Sequence, residues 1–148
     1  MISNIANLRE IARRCRTGEP LSSNLSLWLG DSLNAFLSRQ CASIEDALGL
    51  RAPRGGVPWW REEAIRRRDS AIRTLADDLF TELRPSTQAR QIHTLAVRYA
   101  ASAWRYDQCL EQVPVHYRGK PHEWLWQAFK SGAPMPICER QLRQILAR

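Results

Sequence analysis

The sequence predicts an all-α fold, and three observations predict it. Apolar residues recur at spacings of three and four in every long segment. No segment shows the sustained apolar–polar alternation of a half-buried strand. Glycine and proline fall between the periodic segments and punctuate them. The expected architecture is a single-domain bundle of six or seven helices. A long central helical hairpin forms its spine, and a helix-turn-helix-like pair ends it. At 148 residues the chain can bury about two-thirds of its unfolded surface, so it needs no covalent staple.

The first helix is expected over residues 4–16, where Ile5, Leu8, Ala12 and Cys15 share a face and Gly18 supplies the C-terminal turn. The second covers 23–39 behind a capping Ser22 or Ser23, with an apolar stripe of Leu25, Trp28, Leu29, Leu33 and Phe36. A short third helix runs from Ser43 to Leu48 and closes at Gly49; Glu45 and Asp46 lie in its first turn, where the backbone N–H groups favour acids. Residues 51–57 hold Pro53, Gly55 and Gly56 and read as a linker between an N-terminal helical subdomain, 1–50, and the rest, 58–148. The two parts are expected to share a core.

Pro58 suits the first position of a fourth helix that extends to residue 83, with Ile65, Ile72, Leu75, Leu79 and Phe80 facing inward. Pro85 interrupts, and a fifth helix is expected over 87–111 on Ile92, Leu95, Ala96, Tyr99, Ala103, Tyr106 and Leu110. These two helices make the hairpin. A loop, 112–120, precedes a sixth helix opened by Pro121, over 121–131, and a seventh over 137–147.

The formal net charge is +7. Residues 112–148 hold six basic and two acidic side chains, over half of that excess. Such a balance favours anionic partners, although a solvated surface explains it as well. Twenty of the 22 basic residues are arginine, which suits bidentate phosphate and guanine contacts; codon bias in a GC-rich genome gives the same excess.

The final segment, PHEWLWQAFKSGAPMPICERQLRQIL, has the layout of a helix-turn-helix. Trp124, Leu125, Ala128 and Phe129 pack its first helix; Leu142, Ile145 and Leu146 pack its second. That leaves Arg140, Gln141, Arg143 and Gln144 to read guanine and adenine edges in the major groove. Arg118, Lys120 and Lys130 are placed to bind phosphates. The two prolines of the turn are unusual for the tight DNA-binding version, and simple packing of two amphipathic helices remains the competing reading.

Trp28 and Trp124 lie on apolar stripes and are expected in the core. Trp59 and Trp60 diverge by about 100° on a helix, so that one ring can lock the linker while the other is open to a partner; packing into the core is the competing reading. With Arg66 and Arg67 they form the alternative, protein-binding surface.

Enzyme chemistry is not expected. There is no phosphate-binding loop, dinucleotide fingerprint, GxSxG or HExxH. Glu62–Glu63 and Asp77–Asp78 are adjacent on a helix and point apart. No cofactor or metal is expected, because His93, His116 and His122 are dispersed and the cysteine spacings of 26, 68 and 29 match no ligand pattern. No signal peptide or stretch of about 18 apolar residues is visible, which points to a cytoplasmic setting, no membrane, and free, mostly buried thiols at Cys15, Cys41, Cys109 and Cys138.

The stretches SIEDALGLRAPRGG, RRRDSAIRTLADDLF and QARQIHTLAVRYAASAWRYD, together with the helix-turn-helix-like end, resemble uncharacterised prophage- and plasmid-associated proteins of bacteria over residues 43–148. The resemblance implies a bacterial cytoplasmic setting and a mobile-element role, and brings no active site. The expected function is that of a bacterial or phage regulator binding double-stranded DNA. The alternative is a mobile-element-encoded interaction module or inhibitor that caps a host protein complex. A basic face centred on the last two helices favours the first; evenly spread charge with an exposed apolar patch favours the second.

Overall fold

A computed structural model describes residues 2–147. Every regular element among them is a helix. The chain forms two compact units, Met1–Trp59 and Trp60–Arg148.

The first unit holds α1 (Ile2–Thr17), α2 (Ser23–Leu37) and α3 (Ile44–Ala47). Gly18, at φ 71°, lets the chain leave α1 in the left-handed region where a side chain would be strained. Ser43 caps α3 by accepting the Asp46 N–H at 3.1 Å. Asn4 ties α1 to the end of α3 through a 3.0 Å bond to the Leu48 carbonyl. Arg13 and Arg14 are both bonded to Glu10, whose carboxyl they hold down at about 2. Three short helices can enclose little: among the described residues Ile11 and Leu50 are the buried apolar side chains here. Leu33 and Phe36, expected on an inward stripe, stand exposed on α2.

The second unit holds α4 (Trp59–Leu79), α5 (Pro85–Ala101), α6 (Trp104–Asp107), a 3₁₀ turn (Val115–Tyr117), α7 (Pro121–Lys130) and α8 (Glu139–Leu146). Four of these helices meet in one core. Ile72, Leu75 and Ala76 come from α4, and Ala89, Ile92, Ala96 and Tyr99 from α5. Leu125, Trp126 and Ala128 come from α7, and Leu142 and Ile145 from α8.

The structure corrects several expectations. The expected interruption between the fourth and fifth helices is present over 80–84, but Pro85 belongs to the first turn of α5 behind Arg84, two residues earlier than expected, since its missing N–H is unneeded there. The fifth helix stops at residue 101; Ser102 leaves helical geometry at φ −121°, ψ −95°, and α6 follows at a new angle. Tyr106, expected inside, is therefore 80% exposed, and Leu110 is exposed with it. Leu79, at the last turn of α4, also faces water. The most extensive helix–helix packing is of α5 with α8, not of α4 with α5. The thiols are unbridged, but Cys15, Cys109 and Cys138 are exposed and only Cys41 is half-buried.

Candidate nucleic-acid interface

Eight residues are too few for a helix to persist alone in water, so α8 exists through what holds it. Leu142 and Ile145 enter the core. Arg73 of α4 donates Nε to the Ile145 carbonyl at 2.9 Å, which satisfies one of the last carbonyls and places a cation at the negative helix end. The connection before it is fixed in the same way. Arg68 donates to the Pro134 carbonyl, and His93 Nε2 lies 3.3 Å from the Ile137 carbonyl. Gln141 reaches back from the first turn to accept the Ile137 N–H at 2.9 Å, as the far residue of a capping box does. Residues 131–138 form that connection. At eight residues it is longer than the three or four of the tight DNA-binding version, and α8 leans chiefly on α5.

The outer face of α8 is polar and unengaged. Arg140, Arg143 and Gln144 fall within about 100° of helix circumference and all are exposed. Neither arginine makes a side-chain hydrogen bond or ion pair with the described residues. Glu139, the one acid of α8, faces Arg90 of α5 at 4.0 Å. Gln141 is exposed, with its carbonyl oxygen committed to the cap.

The residues expected to bind phosphate are placed differently from one another. Arg118 and Lys120 are exposed on either side of Gly119, which takes φ 73°. Lys130 is also exposed, but its ammonium donates to the Gln108 carbonyl at 2.9 Å and sits 5.7 Å over the Trp126 ring. The arginine run of α4 fans out: Arg66 pairs with Glu62 and Arg67 with Glu63, each one turn back, while Arg68 turns inward to Asp69 at 2.7 Å. Trp59 is half-buried and Trp60 is 59% exposed. An open cleft of about 400 Å³ between α4 and α7 brings Arg67 and Lys130 to one place, with Ser70, Thr74 and Gln127 in its wall and no acid lining it. A second cleft, of about 430 Å³, lies between α4 and α8 and is walled by Ile65, Met135, Ile137, Gln141 and Gln144.

Sequence reasoning missed the polar knot beside these clefts. Asp107 is buried, and its Oδ2 accepts the Tyr99 and Tyr117 hydroxyls, each at 2.8 Å. Its backbone carbonyl accepts the Trp126 indole N–H at 3.3 Å. His122 stacks on Tyr117 at 5.1 Å and meets Tyr99 edge-on at 5.5 Å. Burial, and then the bond to Asp107, push the Tyr117 hydroxyl up to about 12; the same causes raise Tyr99 further. Spacing gave no sign of this cluster, because Asp107 lay inside an apparently continuous helical repeat. Trp124, expected in the core, packs against its edge, and Trp126 is the deeper ring.

Among the described residues no three His, Cys, Asp or Glu side chains could hold a metal ion, and no helix is long and apolar enough to cross a membrane. Comparison with protein-family models, with curated proteins and with solved structures finds no match for the chain.

Proposed function

We propose that the chain is a DNA-binding regulator, of the bacterial or phage kind its sequence suggests, and that α8 is the element that enters the major groove. The observation that carries this reading is the state of Arg140 and Arg143. Most arginines on α4 are paired with acids of their own helix, whereas these two stand free on a helix whose opposite face is locked into the core. A rigidly held helix with unpaired arginines on its outer stripe has the donor geometry for guanine edges. Arg118 and Lys120 supply sequence-independent contacts to the phosphate backbone, and the Arg67–Lys130 cleft is a further place for a phosphate. Binding alone is proposed, with no catalytic step.

A mobility-shift titration on random and selected duplexes tests it. Affinity should fall steeply with salt. Arg140→Ala and Arg143→Ala should each cost about 1–3 kcal/mol on a selected site and much less on random DNA. Lys120→Ala should weaken every duplex alike and lower the salt slope by about one. If no duplex is bound at low salt, the reading fails. A host-protein partner met through the exposed ring of Trp60 and the neighbouring Arg66 and Arg67 then becomes the better account.

A further inference from the structure

We propose that the cleft between α4 and α7 is a binding site for phosphate carried as a monoester or free: the terminal phosphate of a small molecule, or inorganic phosphate. Such a site is additional to DNA binding and stands whether or not a duplex is bound. Arg67, Ser70 and Thr74 recur at helical spacing on α4 and make one wall. Gln127 and Lys130, three apart on α7, make the other. Ala71 and Trp126, both buried in the core, form the floor between them. Each wall therefore stands on a helix whose inner face is packed.

Four of the lining side chains have donors to spare. The Arg67 side chain makes no hydrogen bond with the described residues; Glu63, which does not line the cleft, lies 3.6 Å from one of its nitrogens. The Ser70 hydroxyl and the Gln127 amide also lack a hydrogen-bond partner among the described residues. Lys130 is held in place by the Gln108 carbonyl at 2.9 Å and the Trp126 ring at 5.7 Å, which leaves two of its three N–H groups for a ligand. The carbonyls in the last turn of α7, which would repel an anion, are engaged. Those of Gln127, Ala128 and Phe129 accept from the Ser131 N–H, the Ser131 hydroxyl and the Gly132 N–H.

Charge and shape select the ligand. Two cations and no acid in the lining call for an anion. The apolar floor lowers the local dielectric and strengthens that attraction. A phosphate monoester carries a charge of about −1.5 to −2 at pH 7 and three free oxygens, which suit two cations and two neutral donors. A backbone diester has a single charge, and a sugar on either side keeps it out of a recess. The cleft also lies on the far side of α4 from α8. Arg68 and Arg73 bond to α8 and its connection, and the Arg67–Ser70–Thr74 stripe points about 160° away from them. The phosphate in the cleft therefore need not belong to a duplex held by α8. At about 400 Å³ the space falls within the roughly 300–1,000 Å³ of small-molecule sites, so there is room for more than the phosphate.

Amide and indole NMR shifts of the full chain test the site, titrated at low salt with inorganic phosphate, ribose 5-phosphate and dimethyl phosphate. The first two should move the signals of residues 67–74 and 126–131 and saturate in the millimolar range. Tighter binding of ribose 5-phosphate identifies the ligand as a phosphorylated small molecule; binding no tighter than that of phosphate identifies it as free phosphate. Arg67→Gln and Lys130→Gln should each raise the dissociation constant about tenfold, the worth of a charge-assisted hydrogen bond. Ser70→Asp, which puts an anion in the cleft and leaves the anchors of Lys130 alone, should abolish binding. Arg98→Gln removes the same charge from an exposed site on α5 outside the cleft and should change nothing. Circular dichroism of each variant should match the wild type. A chain that binds no duplex overturns the DNA reading and leaves these expectations as they are. Cleft signals unmoved by about 10 mM of either phosphate probe overturn the proposal. So does dimethyl phosphate bound as tightly as ribose 5-phosphate, a duplex that displaces ribose 5-phosphate, or affinity that survives both Arg67→Gln and Ser70→Asp.

Discussion

Asp107 shows how one buried carboxylate can organise its surroundings. Its Oδ2 holds two phenols from different elements, and its carbonyl holds an indole from a third. Removing it leaves the Tyr99 hydroxyl unpaired in a closed site, so Asp107→Ala should lower stability by about 2–4 kcal/mol in urea titrations, while Asp107→Asn, which keeps an acceptor, should cost less. A change below about 0.5 kcal/mol would show that water replaces the carboxylate without penalty. The same phenols make an alkaline prediction. The folded chain holds Tyr117 protonated up to about 12, against 10 for the free side chain. A raised value means that the fold favours the neutral phenol. The stabilisation is therefore whole below about pH 10 and is lost as pH climbs through about 12. Tyr117→Phe should be less stable at neutral pH yet lose less between pH 10 and 12, measured by thermal melts at each pH. Equal alkaline losses in the two proteins would refute the linkage. None of this was legible in the sequence, since hydrogen bonds across 8 to 19 residues leave no periodic trace. The polar face of α8 was legible, because an eight-residue amphipathic helix shows its inner and outer sides by spacing alone.

Among the elements, the helices bounded by glycine or proline were read nearly to their ends: α1 at Gly18, α3 at Gly49 and α7 at Pro121. The break between α5 and α6 was not, because Ser102 and Ala103 carry no breaking signal. The chain turns there, and the turn lets Asp107 meet Tyr99. Tertiary demand overrode local preference. The same contrast explains the packing of α8. Two neighbouring amphipathic helices suggest each other as partners, but sequence order does not reveal that α8 packs most extensively on α5. Since α8 has little stability of its own, Leu142→Ala should cost about 2–5 kcal/mol and release the helix from its seat. Hydrogen exchange should then show the α8 amides unprotected while those of α5 remain slow. Retained protection in α8 would mean that the backbone bonds from Arg68 and Arg73 suffice without the side chain.

For the whole molecule, the distribution of buried surface is the governing fact. Among the described residues the buried core draws on residues 71–145, whereas the first unit encloses Ile11 and Leu50 and leaves most of α2 uncovered. Residues 60–148 should therefore fold as a separate fragment, and the full chain should melt in two steps with the N-terminal unit first. Brief trypsin treatment should cut at the exposed Arg51 and Arg54 and leave a helical C-terminal fragment. A single calorimetric transition, or complete digestion without a stable fragment, would contradict this. The uneven core was only half visible in advance, because apolar stripes on α2 and α5 look alike in sequence and differ only in whether another helix arrives to cover them.

The sequence separations of the bonds around Asp107 bear on the order in which the second unit assembles. Tyr99, Tyr117 and Trp126 lie 8, 10 and 19 residues from it, so closing those loops takes little chain entropy. The bonds that seat α8 against α4 span 66 and 72 residues. Local closure precedes distant closure when the contacts are of similar strength. Substitutions at Asp107 should therefore slow refolding, whereas those at Leu142 and Arg73 should chiefly speed unfolding. The surface proposed to meet DNA would then be the last part of its unit to take shape and the first to be lost.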